Sequence, residues 1–252
     1  MTGNKKTFGT FFELGGRGVM ESLTRTGLDY VIIDTEHGCF SEETAADAIL
    51  AAERGGLLPY VRIGDIRRPY VLRMVDIGAR GLIVPNIRSA EQVKELVSAA
   101  KFPPVGNRGY CPNRTSGWGT DDWAKDVQGY MAECNRRVKV IPQCETAEAL
   151  EEIEQIAALD GVDGIFVGPC DLSIALGIPL EFDNPKLHRA IERVLRACHE
   201  NGKEAYIFAG NMQDAVHWAM KGFDSVAYSL DAGVFINAFR ALAEEFHRET
   251  GA

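Results

Sequence analysis

Residues 138–145 read Val-Lys-Val-Ile-Pro-Gln-Cys-Glu, and residues 164–171 read Gly-Ile-Phe-Val-Gly-Pro-Cys-Asp. Each stretch is a short apolar run followed closely by a carboxylate, Glu145 in the first and Asp171 in the second, and one helix-like segment separates them. In a parallel βαβ unit the ends of successive strands lie side by side while the helix packs outside. The two stretches therefore predict a βα fold with a divalent-metal site at neighbouring strand ends.

The same alternation of strand and helix extends along the whole chain. Short, mostly continuous apolar runs are typical of strands that are covered by helices on both faces. Eight such runs are Thr7–Leu14, Tyr30–Asp34, Pro59–Ile63, Gly81–Pro85, Val138–Gln143, Gly164–Val167, Glu204–Phe208 and Ser225–Ser229. Amphipathic stretches between and after them are Thr44–Arg54, Tyr70–Ile77, Glu91–Ala100, Ala147–Ala158, Pro185–Glu200, Met212–Lys221 and Val234–His247. This order favours an α/β fold, a closed (β/α)8 TIM barrel, over a doubly wound sheet.

The composition is that of a folded globular protein that acts on small molecules. The chain has 252 residues, 46% hydrophobic and 25% charged, which allows a single barrel domain over residues 1–252. A net charge of −9 argues against nucleic-acid and membrane partners, because both need clustered positive charge. No signal-peptide pattern or membrane-spanning apolar run is apparent, so we expect a cytoplasmic location. The six scattered cysteines are expected to be reduced.

One segment breaks the strand–helix rhythm. Residues 103–135 contain two successive prolines, several glycines and two tryptophans where a short connection is expected. Long insertions in barrels commonly cover the active-site mouth, so we expect an active-site loop at about 103–135. Within it, Arg114 is a candidate substrate-binding cation.

Polar side chains follow several of the apolar runs. Asp34-Thr-Glu-His37-Gly comes after the second run, the third reaches Arg62, and Glu145 and Asp171 follow the fifth and sixth. Two carboxylates with open positions suit a hard cation that keeps water ligands. The planar guanidinium of arginine matches oxygen anions, and histidine titrates near neutrality. Glu145 or Asp171 taken singly would be an ordinary surface or helix-capping acid, and Arg62 could be paired for structure; the convergence of these residues at strand ends favours catalysis.

These stretches resemble the HpcH/HpaI class II pyruvate-dependent aldolases. The matching residues are 34–38, 61–62, 143–145 and 161–173, and the resemblance covers nearly the whole chain. The resemblance implies that Glu145 and Asp171 bind Mg²⁺, Mn²⁺ or Co²⁺. It also implies that Arg62 binds the carboxylate and enolate oxygen of pyruvate and that His37 is the general base, acting directly or through water.

The resemblance extends to residues around these groups. Asp76 corresponds to the acid that raises the basicity of the histidine, although Asp34 could do the same and the sequence does not separate them. Gln143 and the substrate-contacting stretch 168–171 (Gly168, Pro169, Cys170 and Asp171) correspond to substrate contacts, with Cys170 standing where a small residue is common.

The implied reaction is reversible aldol cleavage of a 4-hydroxy-2-oxo acid to pyruvate and an aldehyde, through a metal-stabilised pyruvate enolate. An alternative is a related enzyme of the citrate synthase or citryl lyase type, in which Arg114 would recognise an additional carboxylate. A barrel without turnover is disfavoured, because buried charges cost desolvation and a non-catalytic protein has no need of them. The family commonly forms homohexamers with the C-terminal helix packed on a neighbouring barrel, and the apolar residues of 234–242 permit this.

Overall fold

Eight parallel strands close into a barrel in the computed structural model, which describes residues 5–251. They pair in chain order, and β1 closes the barrel by pairing with β8. The strands are β1 Thr7–Phe12, β2 Tyr30–Asp34, β3 Leu58–Arg62, β4 Gly81–Val84, β5 Lys139–Cys144, β6 Gly164–Val167, β7 Glu204–Ala209 and β8 Ser225–Leu230. The predicted (β/α)8 barrel is confirmed. The ends of the predicted 1–252 domain, residues 1–4 and 252, lie outside the described residues.

Helices surround the barrel. They are α1 Arg17–Leu23, α2 Glu42–Arg54, α3 Arg68–Asp76, α4 Ala90–Ala100, α5 Val127–Arg137, α6 Ala147–Glu151, α7 Ile153–Ala157, α8 Pro169–Ala175, α9 Pro185–Glu200, α10 Met212–Lys221 and α11 Asp231–Thr250. Ser41 caps α2, and Asn184 followed by proline begins α9, as their sequences indicate. Within the described part of the chain, every helix is too short or too polar for a membrane span.

Strand side chains alternate between the barrel interior and the helix layer. Every strand contributes to an interior cluster that includes Phe11, Tyr30, Ile32, Tyr60 and Ile141. The intervening strand residues pack instead against the helices in a second, larger core. This alternation matters for function. The inward-facing residues occupy every second position of a strand, and at the C-terminal end of the strand they determine which polar side chains face the barrel mouth.

The segment 103–135 is not an insertion after a strand. It follows α4 and leads into β5, and it contains 3₁₀ turns at Arg114–Gly119 and Asp122–Ala124 and most of α5. The backbone of Asn107 donates to Ser98 on α4, and the interior of the segment packs around Phe102 and Tyr130. Connections from helix to strand lie at the N-terminal end of a barrel, opposite the catalytic end. The expectation of a loop over the active-site mouth was therefore wrong for this chain, because the preceding element is helix α4.

Candidate active site

The polar site residues extend the inward-facing series of two strand pairs. Asp34 follows Tyr30 and Ile32 at every second position, and Arg62 follows Tyr60; Asp34 and Arg62 are also direct partners in the β2–β3 register. On β5, Ile141 is succeeded in the same way by Gln143 and then Glu145. The period of two therefore carries these side chains to the C-terminal end of the barrel, where active sites of this fold lie.

Asp34 and Arg62 form a buried ion pair. The Asp34 side chain is fully buried, and its two oxygens accept hydrogen bonds from Nε (2.9 Å) and Nη2 of Arg62. Burial opposes ionisation of Asp34, but the hydrogen bonds and charge of Arg62 outweigh it and lower the pKa of Asp34. The guanidinium lies 4.7 Å from the ring centroid of Phe11. Its Nη1 group makes no side-chain hydrogen bond within residues 5–251 and is available to a ligand.

Asp34 also organises the loop that follows β2. Its Oδ1 accepts hydrogen bonds from the backbone N–H groups of Glu36 (3.1 Å) and His37 (3.3 Å). The Glu36 carboxylate is 3.5 Å from Arg62 Nε and 3.8 Å from His37 Nε2, and the imidazole of His37 is largely exposed. The loop thus presents a solvent-accessible base beside a carboxylate at the barrel mouth.

Glu145 is a buried carboxylate held at one oxygen by the backbone. Its Oε1 accepts from the N–H of Asn86 (2.6 Å) and its Oε2 accepts from the amide of Gln143. Burial raises the pKa of Glu145, and the negative charges of Asp171 and Glu36 raise it further. A bound cation would relieve this accumulation of negative charge.

The donor set around Glu145 fits a hard divalent ion. Asp171 lies exposed in the first turn of α8, and its charge acts on both Glu145 and Glu36. The Oε1 of Gln143 is buried and has no hydrogen-bond partner among the described residues. Within residues 5–251 no group of three or more histidine, cysteine or acidic side chains is arranged to hold a metal by itself. A cation here would keep several positions for water or substrate.

The β6–α8 turn forms the wall of the site. A side chain at Gly168 would bring its Cβ within 2.8 Å of Gln143 Nε2 and 3.0 Å of Glu145 Oε2, so any larger residue here would displace the ends of these two side chains. Pro169 and Cys170 follow in the first turn of α8. Burial and the charge of Asp171 raise the pKa of the Cys170 thiol, which disfavours a thiolate nucleophile.

Two residues that were predicted for the site lie at the N-terminal end of the barrel. Asp76 ends α3 and accepts hydrogen bonds from Arg108 (2.7 Å) and Asn113 (3.0 Å); it makes no hydrogen bond to His37 within the described residues. Arg114 pairs with Glu53 and the carbonyl of Ile77, at the N-terminal end of the barrel. Asp76 lies there because it is the last residue of α3, and Arg114 lies there because the 103–135 segment follows helix α4 and packs against the ends of α2 and α3.

Two acids near Arg62 were not assigned a role from the sequence. Glu36 contacts both Arg62 and His37, and its position between Asp34 and His37 was a usable signal. Glu13 follows β1; burial and the adjacent Asp34 carboxyl raise its pKa. The sequence around Glu13 carries no comparable signal, because its contact with Asp34 depends on the pairing of β1 with β2.

Comparison with known proteins shows the family of the chain. A family model described as HpcH/HpaI aldolase/citrate lyase matches residues 7–238. The chain is 34% identical to 2-keto-3-deoxy-L-rhamnonate aldolase of Klebsiella pneumoniae subsp. pneumoniae, over 86% of this chain and 80% of that protein. It is 32% identical to 5-keto-4-deoxy-D-glucarate aldolase of the same organism, over 90% of this chain and 87% of that protein.

The solved structure of citrate synthase SbnG shares the fold with a TM-score of 0.88 and 25% identity, covering 99% of this chain and 96% of that one. Fold, site and relatives together define a barrel enzyme of the lyase class, with aldolases as its relatives. The chain belongs to the HpcH/HpaI aldolase/citrate lyase family.

Proposed function

We propose that the protein catalyses metal-dependent, reversible cleavage of a 4-hydroxy-2-oxo acid to pyruvate and an aldehyde. The observation that carries this proposal is the cluster of Glu145, Asp171 and the unpartnered Gln143 Oε1 on the barrel mouth that Arg62 also faces. Acidic ligands beside a fixed guanidinium suit a substrate that is itself an anion and develops further negative charge during the reaction.

Glu145 and Asp171 would hold the divalent ion, with Mg²⁺, Mn²⁺ and Co²⁺ as the candidates. When bound, such an ion supplies electrophilic stabilisation of the negative charge that develops on the keto oxygen. Gln143 orients Glu145 through its amide N–H. Gly168 keeps the space beside both side chains open, so that a planar 2-oxo acid can approach them.

Arg62 would bind the oxygen anions of the substrate. Its Nε and Nη2 are occupied by Asp34, which fixes the plane of the guanidinium and leaves Nη1 for the ligand. Burial alone would disfavour the cation, but the hydrogen bond and charge of Asp34 raise the pKa of Arg62, so the positive charge persists throughout turnover. Arg62 can therefore stabilise the enolate without any movement of its own.

His37 would transfer the protons. In the cleavage direction its imidazole accepts the proton of the substrate 4-hydroxyl, directly or through water, while the C3–C4 bond breaks and the aldehyde leaves. The imidazolium then returns a proton to C3 of the pyruvate enolate. Glu36, 3.8 Å from Nε2 of His37, stabilises the imidazolium between these steps.

The chemical class of the aldehyde is suggested by the relatives, which are named as aldolases of keto-deoxy sugar acids. We propose that the aldehyde product is a hydroxylated sugar-type fragment. The citrate-forming alternative is favoured by the likeness to citrate synthase SbnG. It loses the support of Arg114, which lies at the opposite end of the barrel from Glu145 and Asp171. An assay with oxaloacetate and acetyl-CoA beside pyruvate plus aldehydes separates the two activities.

We also propose a homo-oligomer, a hexamer by family resemblance, in which α11 packs against a neighbouring subunit. Asp231 anchors the start of α11 by accepting hydrogen bonds from the backbone of Glu13 and Leu14. Farther along, large apolar side chains are more than half exposed: Phe235, Ile236, Phe239, Leu242 and Phe246. Such a row of exposed apolar groups is characteristic of a surface that is buried in an assembly.

The proposal is tested by metal removal followed by pyruvate proton exchange. Protein stripped of metal should not exchange the methyl protons of pyruvate with D₂O, and added Mg²⁺, Mn²⁺ or Co²⁺ should restore exchange measured by NMR. Glu145→Gln should abolish the restoration. Glu148→Gln, which removes an exposed acid on α6, serves as the matched control and should behave as the unmodified protein. Full exchange after exhaustive chelation would rule out the mechanism.

A further inference from the structure

A cavity rich in arginine lies at the N-terminal end of the barrel. It has a volume of about 530 Å³ and is bounded by the ends of α2 and α3, the start of β4 and the 103–135 segment. One acid, Glu53, is among its lining residues, together with five arginines: Arg54, Arg80, Arg108, Arg114 and Arg137. This density of guanidinium groups is unexpected in a chain whose net charge is −9.

Two of the five arginines are held in place by neighbouring groups. Arg108 pairs with Asp76 at 2.7 Å and its guanidinium lies 4.6 Å from the ring centroid of Phe102. Arg114 pairs with Glu53 and donates to the carbonyl of Ile77.

A third, Arg137, is held by an acid and an aromatic ring. It pairs with Glu133, and its guanidinium lies 4.7 Å from the ring of Trp123, another lining residue. These three cations are thus oriented before any ligand arrives, which reduces the entropy that binding must overcome.

The remaining two arginines have free hydrogen-bonding capacity. Arg54 and Arg80 form no ion pair and no side-chain hydrogen bond with any residue in the range 5–251. The Nε of Arg80 is buried without a partner, and so is the Nε of Arg108, whose side chain is only 2% exposed. Buried donors without acceptors are rare in folded proteins, and here they border a cavity large enough for a ligand.

We propose that this cavity binds a small polyanion carrying carboxylate or phosphate groups. Three of the five guanidinium groups are paired with Asp76, Glu53 and Glu133. The charges of Arg54 and Arg80 have no carboxylate partner within residues 5–251, and the planar forks of their guanidinium groups match the oxygens of a carboxylate or a phosphate. The cavity volume favours a molecule with several anionic groups over a single inorganic ion. Because the cavity is at the opposite end of the barrel from Glu145 and Asp171, this site is separate from the proposed catalytic one and does not depend on it.

Binding can be followed by intrinsic fluorescence and by calorimetry on the metal-free, full-length protein. Two of the three tryptophans, Trp118 and Trp123, line the cavity, so occupancy should change the emission. The probes are inorganic pyrophosphate and propane-1,2,3-tricarboxylate. Saturable binding of either probe supports the proposal, and the tighter of the two identifies phosphate or carboxylate as the preferred group.

Variants assign the binding to the cavity. Arg80→Ala should weaken binding about tenfold, and Arg54→Ala by a similar factor, without loss of the cooperative thermal transition, because neither side chain has a partner to lose. Arg189→Ala, which removes an exposed arginine from α9, is the charge-matched control and should leave the dissociation constant unchanged. His37→Asn, at a largely exposed side chain of the proposed catalytic end, should also bind normally. Absence of saturable binding, equal weakening by Arg189→Ala, or loss of binding in His37→Asn would each overturn the proposal.

Discussion

Replacing Asp34 by alanine tests the central ion pair of the site. The substitution removes a fully buried carboxylate that accepts hydrogen bonds from Nε and Nη2 of Arg62 and from two backbone N–H groups. It leaves the Arg62 cation in a site where its side chain is 11% exposed. The alanine variant therefore buries a charge without its counter-ion, which is the costly case for an interior ion pair.

The expected loss is about 3–5 kcal/mol of unfolding free energy, the range found when one partner of a buried pair is removed. For a chain of this length that corresponds to roughly 6–20 °C in melting temperature. The exposed pair between Arg17 and Asp47, 3.8 Å apart, provides the control. Asp47→Ala should cost less than about 1 kcal/mol, because solvent screens the exposed charges.

The assay is urea unfolding followed by circular dichroism. All proteins are measured at the same concentration, because subunit assembly makes the apparent stability depend on protein concentration. Because folding lowers the pKa of Asp34, its contribution is fully present above the unfolded pKa of about 4 and is lost as the pH falls through the folded pKa. The difference between the two proteins should therefore be constant from pH 6 to 8 and shrink below about pH 4. A loss below about 1 kcal/mol at pH 7 would refute the reasoning.

Four further outcomes follow from the site and from α11. Glu145→Gln should raise the melting temperature of the metal-free protein by a few degrees at pH 8, because burial raises the pKa of Glu145 and disfavours its charge. This gain should disappear below about pH 4.5, where the carboxyl is protonated in both the folded and the unfolded protein. Calorimetry with Mg²⁺ should show stabilisation of the unmodified protein only. Gly168→Ala should reduce pyruvate deuterium exchange at least about tenfold, because the added methyl displaces the neighbouring amide and carboxylate. Cys170→Ala should change kcat less than about twofold in an aldol-cleavage assay, since its raised pKa keeps the thiol protonated. Phe239→Glu should reduce the assembly to smaller species by light scattering.

Controls make these outcomes specific. Met220→Glu, which places the same charge on an exposed apolar position of α10, should leave the assembly intact. Dissociation by both glutamate variants would mean that added charge alone disperses the protein. A Gly168→Ala protein with normal exchange would show that the wall of the site is not closely packed. Loss of cleavage in Cys170→Ala, with pyruvate exchange retained, would instead give the thiol a role in acceptor binding.

The strand pattern was predictable because burial on both faces leaves a continuous apolar run. The runs at Tyr30–Asp34 and Gly164–Val167 coincide with observed strands, and the others differ by only one or two residues at an end. Helix α8 was missed because glycine precedes it, proline is its first residue and its seven residues show little periodicity. Helix α5 was missed because it lies in a stretch rich in turn residues and has few apolar positions.

The site was predictable to the extent that its residues follow strands in the inward series. Asp34, Arg62 and Glu145 follow this rule, so spacing and order were sufficient to group them. Arg114 and Asp76 do not: Asp76 ends helix α3, and the position of Arg114 depends on where a non-periodic segment runs after α4. A sequence shows that such a segment is unusual, but the end of the barrel on which it lies depends on long-range contacts.

One carboxylate, Asp34, holds both the guanidinium of Arg62 and the backbone amides that carry Glu36 and His37. A replacement of Asp34 during evolution toward a new substrate therefore disturbs the Arg62 guanidinium and the Glu36–His37 backbone together. Neither can be altered separately through a substitution at position 34. Substitutions that change the substrate should instead accumulate in the first turn of α8, where Cys170 can be replaced without disturbing the contacts of Asp34.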